Sequence, residues 1–280
     1  MPKAGFYEVA PQEDWPMLHQ SVAHTLVSRS PLHAWHRHFA EIKEYTDATD
    51  RGELCHALLL GGKDIVTVEA NDWRTNAAKE KRDEARAAGK IPVLSGKLLD
   101  AQVLADSVQS RLESEGLELT GQSELTAVWQ SDGVWCQGRM DHCWIPARHL
   151  ILDLKFTANA SLRSCETHFY NFGYDIQHAA YIQAAEKNYP ELAGLVKMLY
   201  VFVEVDQPHA IRIVPVGATM RRLGEWRWGR AVEMWRDCLE RYGPNKPWPA
   251  YDDDRTPVEA PAWALAEQQI QDEIQAGGNL

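Results

Sequence analysis

Between residues 123 and 156, apolar and polar positions alternate in three runs, 123–130, 134–144 and 150–156. Ser131-Asp132-Gly133 separates the first two, and a proline-containing stretch at 145–148 separates the last two. A period of two sends successive side chains to opposite faces, so the runs predict three strands joined by short turns. Elsewhere the apolar spacing is helical. Ser30-Pro31 caps one helix, residues 50–60 form a second that Gly61-Gly62 stops, and 73–86 form a third of mixed charge. A fourth starts at Ser95, with Leu98, Leu99, Val103, Leu104 and Val108 on its apolar face. Residues 174–188 and 218–242 predict two long helices, and 64–69, 196–205 and 210–216 add three strands. Residues 1–20, with three prolines, and the polar stretch 157–172 read as irregular.

Strands and helices in this order predict an α/β protein, a mixed central sheet flanked by helices. With 280 residues, 45% of them hydrophobic, one large core is within reach. The expected division is an entry segment at 1–24, one domain at 25–243, and a tail at 244–280. That tail holds several prolines, Asp252-Asp253-Asp254 and a Glu- and Gln-rich helix over 262–276. No run of about 18 apolar residues occurs and the first residues lack the apolar stretch of a signal peptide, so no membrane association and a cytoplasmic location are expected.

Five scattered cysteines with no Cys-x-x-Cys pair predict neither a disulfide framework nor a zinc ribbon. A net charge of -11 excludes a protein that coats nucleic acid nonspecifically, but not one with a local basic channel and bound divalent cations.

The chemistry concentrates in the second and third strands. Asp153 and Lys155 are two apart and share a face, with Leu152 and Leu154 on the other, while Asp141 sits near the end of the strand before. Two carboxylates offer the hard oxygen ligands that Mg²⁺ takes, and an ammonium beside them can orient a water. Asp-Leu-Lys is also how the polar face of a half-buried strand reads. The flanking Ile151, Leu152, Leu154 and Phe156 argue for a central strand, where charges need partners. Glu124, at the head of the first strand, is a site member or a strand-end charge, and Arg139 contacts phosphate or pairs with an acid. His56 lies among apolar residues and reads, on its own, as a buried hydrogen-bonded histidine, whereas His33, His36 and His38 read as a solvated helix face. Gln177 and Tyr181, four apart, share the helix face presented to the acids. Arg221, Arg222, Arg227 and Arg230, set among tryptophans, suit phosphate and base contacts or plain core packing equally.

Asp141 followed by Asp153-Leu154-Lys155 resembles the PD-(D/E)XK, restriction-endonuclease-like core, with Asp at the second acidic position. Gly52-Glu53-Leu54-Cys55-His56 upstream, Gly138-Arg139-Met140-Asp141, and Gln177-His178-Ala179-Ala180-Tyr181 downstream are, as an ordered set, similar to its RecE-like branch. That branch is the exodeoxyribonuclease VIII type of phage recombination systems, and the resemblance spans roughly residues 25–240. It implies His56, Asp141, Asp153 and the Leu154 carbonyl around a metal, and Lys155 assisting the attacking water. Gln177 and Tyr181, with Tyr174 a weaker candidate, would position DNA or the ligands, and Glu124 and Arg139 join that outer set. The implied enzyme is a Mg²⁺-dependent exonuclease, with Mn²⁺ able to replace Mg²⁺. It would digest linear double-stranded DNA 5′ to 3′ and leave 3′ tails for a single-strand annealing protein. It would work as a ring-shaped homo-oligomer in a bacterial cell carrying a phage or prophage. Two other classes would use the same residues: a single-strand or structure-specific endonuclease, and a non-catalytic DNA-binding protein on a nuclease fold.

Overall fold

The computed structural model describes residues 2–11, 15–40, 47–251 and 255–277. Its elements run β1 (Gly5–Tyr7), α1 (Gln20–Ser28), α2 (Pro31–Phe39), α3 (Asp47–Leu60), β2 (Ile65–Val68), α4 (Asn76–Ala87), β3 (Ile91–Leu94) and α5 (Ser95–Ser114). They continue with β4 (Gln122–Ser131), β5 (Val134–Trp144), β6 (Leu150–Thr157), α6 (Leu162–Phe172), α7 (Tyr174–Asn188), β7 (Lys197–Glu204), β8 (Ile211–Pro215) and α8 (Ala218–Tyr242). These lie in one unit, Met1–Ala250; the other, Tyr251–Leu280, contains α9 (Ala262–Gly277). Asp252-Asp253-Asp254 fall outside the described residues. No helix among those described is long and apolar enough to cross a membrane.

Six strands form a mixed sheet in the order β1-β4-β5-β6-β7-β8, and β2 pairs with β3 in a separate two-stranded parallel sheet. The centre is β6, antiparallel to β5 and parallel to β7 along its whole length, Leu150↔Lys197 through Thr157↔Glu204. A strand buried on both faces must be apolar on both, and β6 is. Ile151 joins Met140, Tyr200 and Phe202 in the core beneath α1, α7 and α8, while Leu152 and Leu154 join Val201 and Val203 against α3 and α5. Asp153 and Lys155 therefore enter the α7 side of a sheet with little water.

Helix α7 is held to α8 at its first turn. Gly224 passes so close to the Asp175 carbonyl that a Cβ there would lie 2.1 Å from its oxygen. Beside it, Arg227 Nη1 donates to both carboxylate oxygens of Asp175 at 2.9 Å, with Asp175 fully buried. The four helical arginines are thus not alike: Arg227 is structural, whereas Arg221, Arg222 and Arg230 are exposed. The tryptophans divide in the same way, Trp228 and Trp235 buried and Trp226 exposed.

Several expectations change. The stretch read as irregular after Lys155 contains helix α6; Ser161 caps it by accepting the Ser164 N–H, and Cys165 and Phe169, four apart, bury its sparse apolar stripe. The entry segment contributes β1, which pairs with Thr126–Val128 on β4, and a bridge from Leu18 to Cys136. Strand β3, four residues abutting α5, was hidden by its shortness and by Pro92. His38 is not simply solvated: its ring packs edge-on to Trp235 at 5.0 Å, and burial brings its pKa down to about 4.

His24, His142 and His178 are likewise lowered to about 4, chiefly by burial. A base whose native pKa lies below its unfolded value of about 6.5 takes up protons on unfolding, so native stability is lost as pH falls from about 6.5 toward 4. The urea midpoint is therefore expected to be lower at pH 5 than at pH 7, with His56 and Asp153, whose pKa values are raised, offsetting part of the loss; a higher midpoint at pH 5 would contradict these burials.

Candidate active site

Three elements bring the charged residues together. In the β4–β5 ladder, Ser123 pairs with His142 and Leu125 with Met140, and the ladder skips the intervening pair, Glu124 and Asp141. Glu124 has φ 56°, a left-handed backbone that costs a non-glycine residue on the order of 1 kcal/mol or more, and it breaks the regular pairing where the acids face each other. The β5–β6 ladder likewise ends at His142↔Leu152. Beyond that point Asp141 Oδ2 accepts the Leu154 N–H at 2.8 Å, so the carboxylate takes over a backbone donor that the ladder no longer pairs.

Helix α3 supplies His56 above this gap. Its Nδ1 lies 3.0 Å from Glu124 Oε1 and its Nε2 3.0 Å from Asp141 Oδ2. Burial alone would lower the histidine's pKa, but the hydrogen bond to Asp141 and the charges of Asp141 and Asp153 raise it. Burial would in turn raise Asp141, and the His56 hydrogen bond and charge instead hold it low. Among the described residues, His56, Glu124 and Asp141 form a set whose ligand atoms all lie within 4.8 Å of one another. Arg139, half exposed, pairs with the other oxygen of Glu124.

Asp153 lies deeper, with no exposure. Its Oδ1 is 2.5 Å from Lys155 Nζ and its Oδ2 accepts from Gln177 Nε2 at 2.6 Å. Burial and the nearby Asp141 charge push Asp153 up to about 7, against the pull of Lys155. For Lys155, burial works against the ammonium, but Asp153 and Asp141 outweigh it and raise its pKa. The ammonium also sits 4.5 Å from the centre of the Tyr174 ring.

The predicted residues thus fall into two adjoining groups: His56, Glu124, Asp141 and Arg139 in one, and Asp153, Lys155, Gln177 and Tyr174 in the other. Glu124 stands with the potential ligands, whereas Asp153 turns its oxygens to Lys155 and Gln177. The Leu154 carbonyl belongs to the strand between the groups, and Leu154 lines the same open cleft of about 550 Å³ as His56, Glu124, Asp141 and Lys155. Two carboxylates and an imidazole, with the buried Asp153 carboxylate and its Lys155 partner beside them, fit a divalent cation with oxygen and nitrogen ligands.

Tyr181 reaches the site indirectly, its hydroxyl donating to the Arg139 carbonyl at 2.7 Å. Its ring occupies the space over Gly138, where a Cβ would lie 2.5 Å from Tyr181 Cε1. Tyr181→Phe is expected to cost about 1 kcal/mol of stability in urea denaturation. Gly138→Ala is expected to cost more, about 1–3 kcal/mol, because the ring must move. An alanine variant as stable as the parent would contradict this packing.

Sequence reasoning assigned no role to Glu53 or Lys63, which pair with each other at the rim of the cleft. The signal for Glu53 was present, since it precedes His56 by three on the same helix and so shares its face.

A mixed sheet whose two central strands carry Asp141, Asp153 and Lys155, with a helix at Gln177 closing one side, is the PD-(D/E)XK nuclease fold. The chain belongs to the family described as "PDDEXK-like domain of unknown function (DUF3799)", whose sequence pattern matches residues 23–242. Among solved structures it is similar to a protein of Eubacterium rectale described as a "putative exonuclease", at 14% identity and a TM-score of 0.59. That alignment covers 90% of this chain and 92% of the other. A second structure, SSO0001, aligns at 13% identity over 70% of this chain and 82% of its own, with a TM-score of only 0.27. No curated protein matches the sequence significantly.

Proposed function

We propose that this protein is a Mg²⁺-dependent deoxyribonuclease that hydrolyses linear double-stranded DNA from its ends, 5′ to 3′, with Mn²⁺ able to replace Mg²⁺. The observation that carries this reading is the convergence of His56, Glu124 and Asp141 beside the buried Asp153–Lys155 pair in one open cleft. His56, Glu124 and Asp141, with Asp153 and the Leu154 carbonyl beside them, would hold the metal. Such an ion supplies polarisation of the phosphate and a water of lowered pKa.

The chain's own residues account for the remaining steps. Lys155 keeps its proton at neutral pH, so it serves as a hydrogen-bond donor that orients water or a phosphate oxygen rather than as a base. Asp153 aims that ammonium, and Gln177 fixes Asp153 by occupying its second oxygen. Arg139, at the mouth, is placed to meet a phosphate of the incoming strand. In the reaction a water oxygen adds to phosphorus, one P–O ester bond breaks, and the departing oxygen takes up a proton.

Polarity, the production of 3′ tails for a single-strand annealing protein, a ring-shaped homo-oligomer and a setting in phage recombination rest on the resemblance of the ordered motifs. Digestion of linear duplex labelled separately at its 5′ and 3′ ends tests the reading, with Mg²⁺ or EDTA, alongside covalently closed circles. Early release of the 5′ label alone, requiring Mg²⁺ and leaving circles intact, is expected. Cleavage of closed circles would make the protein an endonuclease of the same fold.

A further inference from the structure

Lys155 and Phe156 line a second cleft besides the acidic one, a cleft of about 300 Å³ whose walls also include Asn159, His168, Phe172 and Tyr174. That volume is at the lower end of the range of about 300–1,000 Å³ for ligand sites. The two clefts share a wall at the lysine. The second carries almost no charge of its own and is built of rings: His168 and Phe172 lie 5.1 Å apart, Phe172 and Tyr174 5.8 Å, and Tyr174 faces the Lys155 ammonium at 4.5 Å.

Core packing explains only the back of this row. Phe202 is fully buried behind it, but Phe172 is 55% exposed, although it sits at the last turn of a helix whose stability comes from Cys165 and Phe169. Gly173 (φ 73°) then turns the chain into α7, and His24 packs so closely there that a Cβ would lie 2.6 Å from its ring. The backbone beside Phe172 is thereby closely packed, and Phe172 lines the cleft. A row of rings, half-buried at His168 and Tyr174 and exposed at Phe172, that ends at the Lys155 ammonium matches one nucleotide of a DNA strand, the phosphate on the cation and the base on a ring.

We infer that the His168–Phe172–Tyr174 cleft stacks an unpaired base of the strand being cut, next to the phosphate held at Lys155. A base inside a duplex already has neighbours on both faces, so the site selects a frayed or single-stranded nucleotide at the point of cleavage. The inference rests on the nuclease reading above and narrows its substrate.

The test is cleavage of end-labelled single-stranded oligonucleotides with Mg²⁺, in a series where one abasic residue is moved stepwise inward from the end. Phe172→Ala is expected to raise KM roughly 5- to 150-fold, the factor that one stacked base is worth, with kcat little changed, and Phe172→Trp is expected to restore it. One abasic position is expected to weaken the wild-type protein by a similar factor and to have no effect in Phe172→Ala. Thermal unfolding identical to the parent separates this from a folding defect. Cleavage in which no abasic position matters, or in which the Phe172→Ala loss is the same at every position, overturns the stacking site and leaves the nuclease reading standing. Absence of binding and cleavage with every DNA overturns both.

Discussion

Asp153→Asn is expected to lower DNA hydrolysis by about 10³-fold and to lower the melting temperature as well, because the Lys155 ammonium loses its carboxylate. Asp153 has no exposure, and its two oxygens serve Lys155 and Gln177 separately. Burial and the charge of Asp141 already bring its pKa to about 7, so the fold tolerates a neutral group of this shape. An amide, however, offers one acceptor oxygen where two donors arrive, and its NH₂ cannot anchor an ammonium. Lys155 loses its aim and the cleft loses a carboxylate. The rise in melting temperature on adding Mg²⁺ should therefore shrink together with turnover. Lys155→Ala provides the contrast, since it should retain the Mg²⁺-induced rise and lose only turnover. Wild-type turnover in Asp153→Asn would remove that residue from the mechanism.

Arg227→Met should be strongly destabilising, by about 3–5 kcal/mol, because it leaves the fully buried Asp175 carboxylate without its cation. At about 2–4 °C per kcal/mol for a domain of this size, the melting temperature should fall by roughly 6–20 °C. Methionine roughly fills the arginine stem, so most of the loss is electrostatic. The double variant Arg227→Met with Asp175→Asn should recover part of the stability, since it leaves no unpaired charge. If the double variant is as unstable as the sum of the two single ones, the pair is not coupled and the loss is one of packing. Activity should follow the fold, because Asp175 begins the helix that carries Gln177 to Asp153.

The part of this molecule legible from sequence is the part whose signal is local. Period-two alternation over β4, β5 and β6 marks three strands, and it places Asp153 and Lys155 on one face without reference to any other element. What the residues alone could not supply was partnership. His56 reads as an ordinary buried histidine until Glu124 and Asp141, from strands far along the chain, are seen at its two ring nitrogens. Glu124 reads as a strand-end charge because nothing local announces a left-handed residue at that position. Helix α6 was missed because its buried face is only Cys165 and Phe169. Strand β1 is three residues that become a strand only because β4 offers them an edge.

That last pairing has a practical side. Gly5–Tyr7 covers Thr126–Val128, the stretch of β4 at which the sheet would otherwise end in open backbone donors and acceptors flanked by buried apolar residues. Unpaired edges of this kind recruit strands from other molecules. Trimming the first residues, or fusing a tag that pulls them away, would leave the catalytic groups untouched and still open that edge to pairing between molecules.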